Sequence, residues 1–523
     1  MIKSTKTSLY TSMTGIRSCF LVSLVFLLTT NILGQQVREC ININNVHTTA
    51  MLRVANGFVQ ESAVRSRTFN YNPQLRLLTA ANKGDTLLLD FFDNRQYKAI
   101  ISNVTIGYDD VLGITARIVD NDFASCIISI SNAGISLRTD IPVNDEHYRA
   151  AIINRQPVLS QYSLSAIRKS DFTPEPVILP PVEVAGQVAF PQTRVADDIE
   201  EHVTIDVLVA YSTKAKDWAE KNATSIDNAI NMAFQYANHV LENSKIRIMF
   251  NLIYKYETDY PESQDANMDL AVFQHNGDGI LDEVHNLRKQ YGADLAVLMP
   301  MTGSYAYLPD YDLNKPNPSF GFSVCNVGSS TYSATLVHEL GHNLGAHHHW
   351  QQLRTRFPGP GIFAYSSAWR GVGEDGKWYH TVMSYSGDSF TDKNPSTLIP
   401  YFSNPDVMVH GVPIGSKAKE NNALTLEQTK HVIASYSVLI GAKNPSTDKE
   451  GLEIPALKAY TTNGNLHVSG LKSGEPLRIY NLTGQLIYKG IAKTSEEVIP
   501  PLATSGFYVI VTGNRSIKVL NSD

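Results

Sequence analysis

Eleven residues from His338 to His348 spell HExxHxxGxxH, and no other stretch of the 523-residue chain restricts it so tightly. Two histidines four residues apart lie one helical turn apart on a single face, so His338 and His342 can direct imidazole nitrogens at one ion. Glu339, beside the first of them, stands where a carboxylate takes a proton from a metal-bound water rather than binding the metal itself. Gly345 lets the chain leave the helix through a left-handed conformation, and the spacing then selects His348 as third ligand. Three protein ligands leave one tetrahedral position open, the pattern of a catalytic site for one Zn²⁺. With 15 His and 33 Gly, HExxH alone arises by chance in roughly one such chain in fifty, and the full pattern in roughly a few per hundred thousand. A histidine-rich surface helix that binds metal adventitiously is therefore the weaker reading. His347 and His349 read as solvated turn residues, either of which could replace His348 if the helix exit differed.

Downstream, Tyr379-His380-Thr381-Val382-Met383-Ser384-Tyr385 follows a stretch carrying Gly371, Gly373 and Gly376. With the histidine pattern, this segment resembles the Met-turn of the metzincin metallopeptidases, specifically their reprolysin-like branch. The resemblance implies that Met383, 35 residues after His348, forms an apolar floor beneath the imidazoles. It also offers Tyr385 two roles, as fifth zinc ligand or oxyanion donor, or as a packing tyrosine.

The order of elements is similar to a metzincin upper subdomain. Thr204 to Tyr211 reads as a buried strand, and Ser225 to Asn243 as a helix whose stripe is Ile226, Ala229, Ile230, Ala233, Ala237, Val240 and Leu241. Strands over Ile246 to Ile253 and Ala293 to Met299 flank a helix over Gly279 to Tyr291. An edge strand at Phe322 to Val327 would pair with an extended peptide by β-augmentation, which suits polypeptide substrates. Tyr401 to Pro405 and a helix over Thr425 to Leu439 look like the closing segment of reprolysin-like domains. His275-Asn276-Gly277-Asp278-Gly279 fails the EF-hand spacing and reads as a helix start capped by Asp278; Ca²⁺ elsewhere is left open, with no acidic run demanding it.

The two ends of the chain indicate export. Residues 1–34 join Lys3, Lys6 and Arg17 to an apolar core from Cys19 to Leu28 that is short for a membrane span, so they read as a signal peptide, with a short anchor the lesser alternative. From about Leu452 to the end, two alternating strands around the turn in Leu477 to Tyr488, then Gly506 to Val511 and Ile517 to Leu520, read as a small all-β sandwich. This segment resembles the C-terminal sorting domain of type IX secretion systems, which implies contact with outer-membrane secretion machinery and a secreted or cell-surface protein. Without that resemblance it is an accessory module that binds carbohydrate or a partner.

Residues 35–170 carry strands at Thr86 to Phe92, Tyr97 to Ile106, Ile114 to Val119 and Cys126 to Ser131, and their position suggests a β-rich propeptide. Residues 171–200 form a Pro-rich linker of the kind that is readily nicked, with Arg168-Lys169 and Arg194 as basic cleavage candidates. Latency could use a thiolate from Cys40 or Cys126 on the zinc, a carboxylate or a backbone block. Those two cysteines could instead bridge each other; Cys325, alone in the catalytic domain, reads as a buried thiol. The 44 Lys+Arg against 50 Asp+Glu leave a net charge of −6 and no basic footprint for nucleic acid.

The expected architecture is α+β: a metzincin-like catalytic domain of mixed twisted sheet and helices over 201–441, a β-rich propeptide before it, a 442–451 linker and a 452–523 sandwich after it. The expected activity is that of a secreted, monomeric zinc endopeptidase acting on extracellular proteins through a zinc-bound water that Glu339 deprotonates. The alternatives are an adhesin with a zinc-stabilised, inactive fold, and a protease restricted to one target; the intact Glu339 disfavours the first.

Overall fold

A computed structural model describes residues 37–42, 63–163, 202–309, 313, 316–352, 361–440, 458–462, 465–471, 476–481, 486–502, 506–512 and 515–521. The expected signal peptide, the Pro-rich linker with its basic residues and the 442–451 spacer lie outside them. Among the described residues no helix is long and apolar enough to cross a membrane.

The N-terminal region is one ten-stranded sheet. Its strands are β1 (Val37–Asn42), β2 (Ala63–Thr68), β3 (Asn70–Tyr71), β4 (Thr86–Asp90), β5 (Gln96–Ile106), β6 (Leu112–Ile118), β7 (Ser125–Ser131), β8 (Gly134–Ile141), β9 (Glu146–Ile153) and β10 (Gln156–Tyr162). They run in the order β2-β10-β9-β8-β7-β6-β5-β4-β1-β3, antiparallel except where β1 meets β4. Strand β7 explains how the sheet is used. Its period of two sends Cys126, Ile128 and Ile130 into the sheet's own core, while Ile127, Ser129 and Ser131 turn to the other face, and every residue of the strand is buried. Cys40 and Cys126 lie in that core as free thiols, so the bridge open to the sequence is not formed. Burial pushes both thiols up, Cys126 to about 12.

The catalytic region begins with β11 (Val203–Ser212), α1 (Thr213–Asn222), α2 (Ile226–Asn243), β12 (Ile248–Thr258), α3 (Ala266–Gln274) and α4 (Asp282–Tyr291). It continues through β13 (Leu295–Met299), β14 (Tyr305–Ala306), β15 (Phe322–Val324), α5 (Val327–Tyr332) and α6 (Thr335–Asn343). The sheet order is β12-β11-β13-β15-β14, parallel except for β14. Alternate residues of β11 serve two cores: Val207 and Val209 pack with α2 and α6, and Leu208 and Ala210 with α3 and α4.

Three expectations change. The edge strand is β14, because β15 is enclosed between β13 and β14. Strand β15 stops at Val324 because the Asn326 side chain accepts from the Ser329 amide and starts α5. Asp278 does not cap a helix: its carboxylate takes the Ile280 amide in the preceding turn, whereas Asp282, the first residue of α4, accepts from Gly277 and Gly279.

Beyond α6 come β16 (Arg370–Val372), β17 (Trp378–His380), β18 (Thr397–Leu398), the hairpin of β19 (Asn404–Val409) and β20 (Val412–Ile414), and then α7 (Asn422–Ile433) and α8 (Tyr436–Leu439). The helix expected over Thr425 to Leu439 is thus two, parted at Ala434 and Ser435. At the C-terminus, β21 (Lys458–Thr462), β22 (Asn465–Ser469) and β25 (Glu496–Ile499) form one sheet. A second contains β23 (Pro476–Asn481), β24 (Leu486–Ile491), β26 (Gly506–Thr512) and β27 (Arg515–Asn521). Leu466, Val468 and Ile499 from the first share a core with Leu477, Ile479 and Ile510 from the second.

Candidate metal centre and active site

Helix α6 is buried along its whole length, which carries His338, Glu339 and His342 into the interior between the sheet and the segment that follows. It ends as the glycine at 345 requires. Gly345 adopts φ +91° and its amide donates to the His342 carbonyl at 2.8 Å, while the Ala346 amide reaches back to Gly341 O at 2.9 Å. This Schellman ending reverses the chain. A Cβ at Gly345 would also meet the Ile362 side chain at 2.5 Å.

The reversal brings His348 onto the two helical histidines. The Nε2 atoms of His338, His342 and His348 lie 3.0 to 3.1 Å from one another. That is close to the roughly 3.3 Å edge of a tetrahedron with Zn–N bonds near 2.0 Å. Two rings are held by their other nitrogen: His338 Nδ1 donates to Val382 O at 2.8 Å, and His342 Nδ1 to Ala346 O at 2.8 Å. Each of those bonds puts the proton on Nδ1 and leaves the Nε2 lone pair facing the centre. Burial drives the His338 imidazole down to about 4 and those of His342 and His348 well below their ordinary value, so all three are neutral donors near pH 7. Three converging neutral donors with two fixed tautomers fit a zinc ion, and among the described residues they are the one cluster able to hold a metal.

Glu339 is buried beside His338, and after burial itself its carboxylate is a cause of the raised Cys325 thiol. Met383 is fully buried, and the Tyr385 ring lies 5.6 Å from that of His338 and 5.1 Å from that of His348. His347 and His349 are not the solvated residues expected; both are buried. The Asn422 side chain pins the His347 backbone through both its amide and its carbonyl, and His349 packs its ring on Phe390.

Several supports escaped the sequence reading. A Cβ on Gly341 would come within 2.9 Å of Phe402 and 3.0 Å of Met383 Sδ, so this glycine lets those two side chains press against the helix. Asn343 donates to the carbonyls of Tyr307, Phe320 and Phe322, lacing the helix end to the start of β15 and the segments flanking it. Ser367 Oγ holds the His348 carbonyl at 3.0 Å, and Thr429 of α7 caps that of Leu344 at 2.8 Å. The partners in these contacts are distant in sequence, so local pattern carries no signal for them; only the small residue in HELGH hinted at a close approach.

Comparison with known proteins agrees with this geometry. Residues 202–421 match the family model described as Metallo-peptidase family M12B Reprolysin-like. A curated protein of Stenotrophomonas maltophilia named Peptidyl-Asp metalloendopeptidase is 28% identical over 233 residues, covering 45% of this chain and 52% of that one. A protein of the same name from Pseudomonas aeruginosa is 26% identical over 339 residues, covering 59% and 53%. The chain spans about half the length of the curated relatives it matches. Metalloproteinase-II from Bacteroides fragilis aligns at 16% identity over 52% of this chain and 84% of that one with a TM-score of 0.35, too low to carry an argument. Residues 202–421 are thus similar to reprolysin-like M12B metallopeptidases, a family that implies a zinc cofactor.

Proposed function

We propose that the chain is a secreted zinc endopeptidase made as a precursor, with His338, His342 and His348 as metal ligands and Glu339 as general base. The observation that carries this is the convergence of three buried Nε2 atoms with Nδ1 of two rings tied to backbone carbonyls. Zinc held there supplies Lewis acidity to a water and to the scissile carbonyl. Glu339 takes the proton of the attacking water and delivers it to the leaving amine. Tyr385, whose ring flanks two of the histidines, donates from its hydroxyl to the developing oxyanion, and Met383 forms the apolar floor. Edge strand β14 aligns an extended substrate. The name shared by the relatives, Peptidyl-Asp metalloendopeptidase, supports cleavage beside an aspartate.

In this proposal residues 1–34 are the signal peptide, 35–170 the propeptide and 171–200 the activation linker, while 452–523 deliver the protein to outer-membrane secretion machinery. The propeptide role is supported by the polar character of the contact between its sheet and α2. The experiment is cleavage of a denatured protein such as gelatin by the full-length chain after nicking in the linker. Activity abolished both by a chelator and by Glu339→Ala is expected; a folded, zinc-loaded wild type that cuts nothing would sink the general-protease reading and leave the single-target protease and the adhesin.

A further inference from the structure

The strand that leads towards the Met-turn pairs with one bearing a buried cation. Strand β16 puts Arg370 opposite His380, and the Arg370 side chain is 3% exposed. Its guanidinium lies 4.3 Å from the ring centres of Trp378 and Phe390. Phe390 in turn touches the His349 ring at 5.2 Å, next in sequence to the third histidine of the triad. One aromatic ring therefore separates this cation from the histidine-bearing turn. The loop holding Phe390 begins directly after Tyr385, so Arg370 packs against the segment that follows Met383.

Its partner is unlike it. Asp392 takes Nη1 and Nη2 of Arg370 at 2.8 and 2.9 Å, yet its own side chain is 39% exposed on the loop. The Asn394 carbonyl takes Nη2 at 2.6 Å, and Nε is buried with no partner among the described residues. A planar fork pre-set between two rings matches a carboxylate bidentately. An incoming carboxylate can exchange for that of Asp392 and keep the guanidinium paired throughout, whereas a neutral side chain that displaced Asp392 would strand a buried charge. Lys419, the cation over Trp350 on the other side of the turn, is exposed and sits beside Glu420, which bonds the Trp350 indole and would repel an acid.

We infer that Arg370 is the specificity-determining residue for an acidic substrate side chain next to the scissile bond, and that Asp392 holds its place until substrate arrives. The inference rests on the zinc endopeptidase reading and deepens it by naming the group that reads the aspartate.

The test compares peptides that differ only in Asp, Asn or Ala after the scissile bond, with full-length protein nicked in the linker. Wild type is expected to favour Asp over Asn by about 100-fold in kcat/KM. Arg370→Gln erases that preference by cutting kcat/KM for the Asp peptide about 100-fold, with much smaller losses on the Asn and Ala peptides. Asp392→Asn, which removes the internal competitor, raises kcat/KM for the Asp peptide severalfold; a merely structural pair would lower it for all three. Binding of the Asp peptide to a Glu339→Ala background, measured by calorimetry, weakens by about 30-fold on adding Arg370→Gln. Should Arg370→Gln fail to fold, Arg370→Lys keeps the charge without the fork and is expected to cut the preference about tenfold. Equal loss on every peptide in a folded Arg370 variant overturns the assignment. Zinc-dependent cleavage by wild type with no preference for Asp sinks it while the peptidase reading stands; no zinc-dependent cleavage at all sinks both.

Discussion

Helix α2 is buried on two sides by different chemistry. Towards the catalytic sheet it presents Ile226, Ala229, Ile230, Ala233, Ala237, Val240 and Leu241, all in one apolar cluster with β11, β13 and α6. Towards the N-terminal sheet it presents mainly amides, with Ile127 of β7 the one residue of that sheet in the apolar cluster. Asn228 donates to the Ser129 carbonyl at 2.8 Å and accepts from Ser131 Oγ at 2.6 Å, and Gln235 bonds Thr105 at 2.6 Å. Beside them Arg138 lies 3.8 Å over the Tyr236 ring and donates to Ser333 O, while Arg149 donates to Tyr332 O, the two carbonyls just before α6. The first face is a core that water would ruin; the second, apart from Ile127, is a surface whose polar groups water can also satisfy. A segment that must fold with its partner and later leave it needs the second kind of contact.

The contrast breaks first on its apolar side. Leu241→Ala removes a fully buried side chain and is expected to cost about 2–5 kcal/mol, lowering the melting temperature of the catalytic region by the same amount before and after the linker is nicked. A loss seen only in the intact chain would mean that this face, too, belongs to a detachable interface. Gly341→Ala drives a methyl against Phe402 and Met383 and should cost about 1–3 kcal/mol, with zinc content after dialysis falling alongside stability. Retention of full zinc would show that Met383 can withdraw without moving the histidines.

On the polar side, Arg138→Met removes one of two guanidinium groups on Asp140, which keeps Arg149 at 2.7 Å, so about 2 kcal/mol is expected rather than the full penalty of an unpaired charge. The effect belongs to association: in nicked protein the two fragments should separate faster on gel filtration, while the catalytic fragment melts unchanged. A lower melting point of the separated fragment would contradict a detachable role.

How legible was this from the sequence? The convergence of the three histidines was readable, because HExxHxxGxxH compresses two helical imidazoles, the helix exit and a third imidazole into consecutive turns. The stripe on α2 was readable for the same reason, since 3.6-residue periodicity reports one buried face. Its second buried face was not: Asn228, Asn231 and Gln235 follow the pattern of a solvated side, and only a partner more than ninety residues away in sequence covers them. The same blindness made His347 and His349 look exposed, because Asn422 and Phe390, which enclose them, come from distant segments. The edge strand was misplaced because Phe322 to Val324 is apolar enough to be a strand and β14 is only two residues long.

Two aspartates give the smallest and sharpest test. Burial alone would raise the Asp140 carboxyl, yet Arg138, Arg149 and His147 together hold it well below the usual range. Its contribution, made through the two arginines that reach Ser333 O and Tyr332 O, is present above about pH 4, the unfolded value, and is lost as the pH falls further. Asp294, in the catalytic sheet, runs the other way. Burial lifts it to about 6 against the amides of Asp206 and Ser437 that lower it. The folded state then holds a proton that the unfolded state has released, so stability falls as pH rises from about 4 to 6. Asp294→Asn should flatten that slope, which is about 1 kcal/mol per pH unit within the window, without changing how the nicked fragments separate. Acid below pH 4 should part the fragments in both proteins. If Asp294→Asn altered their separation instead, the two faces of α2 would be energetically one, and the division between a permanent core and a removable cover would fail.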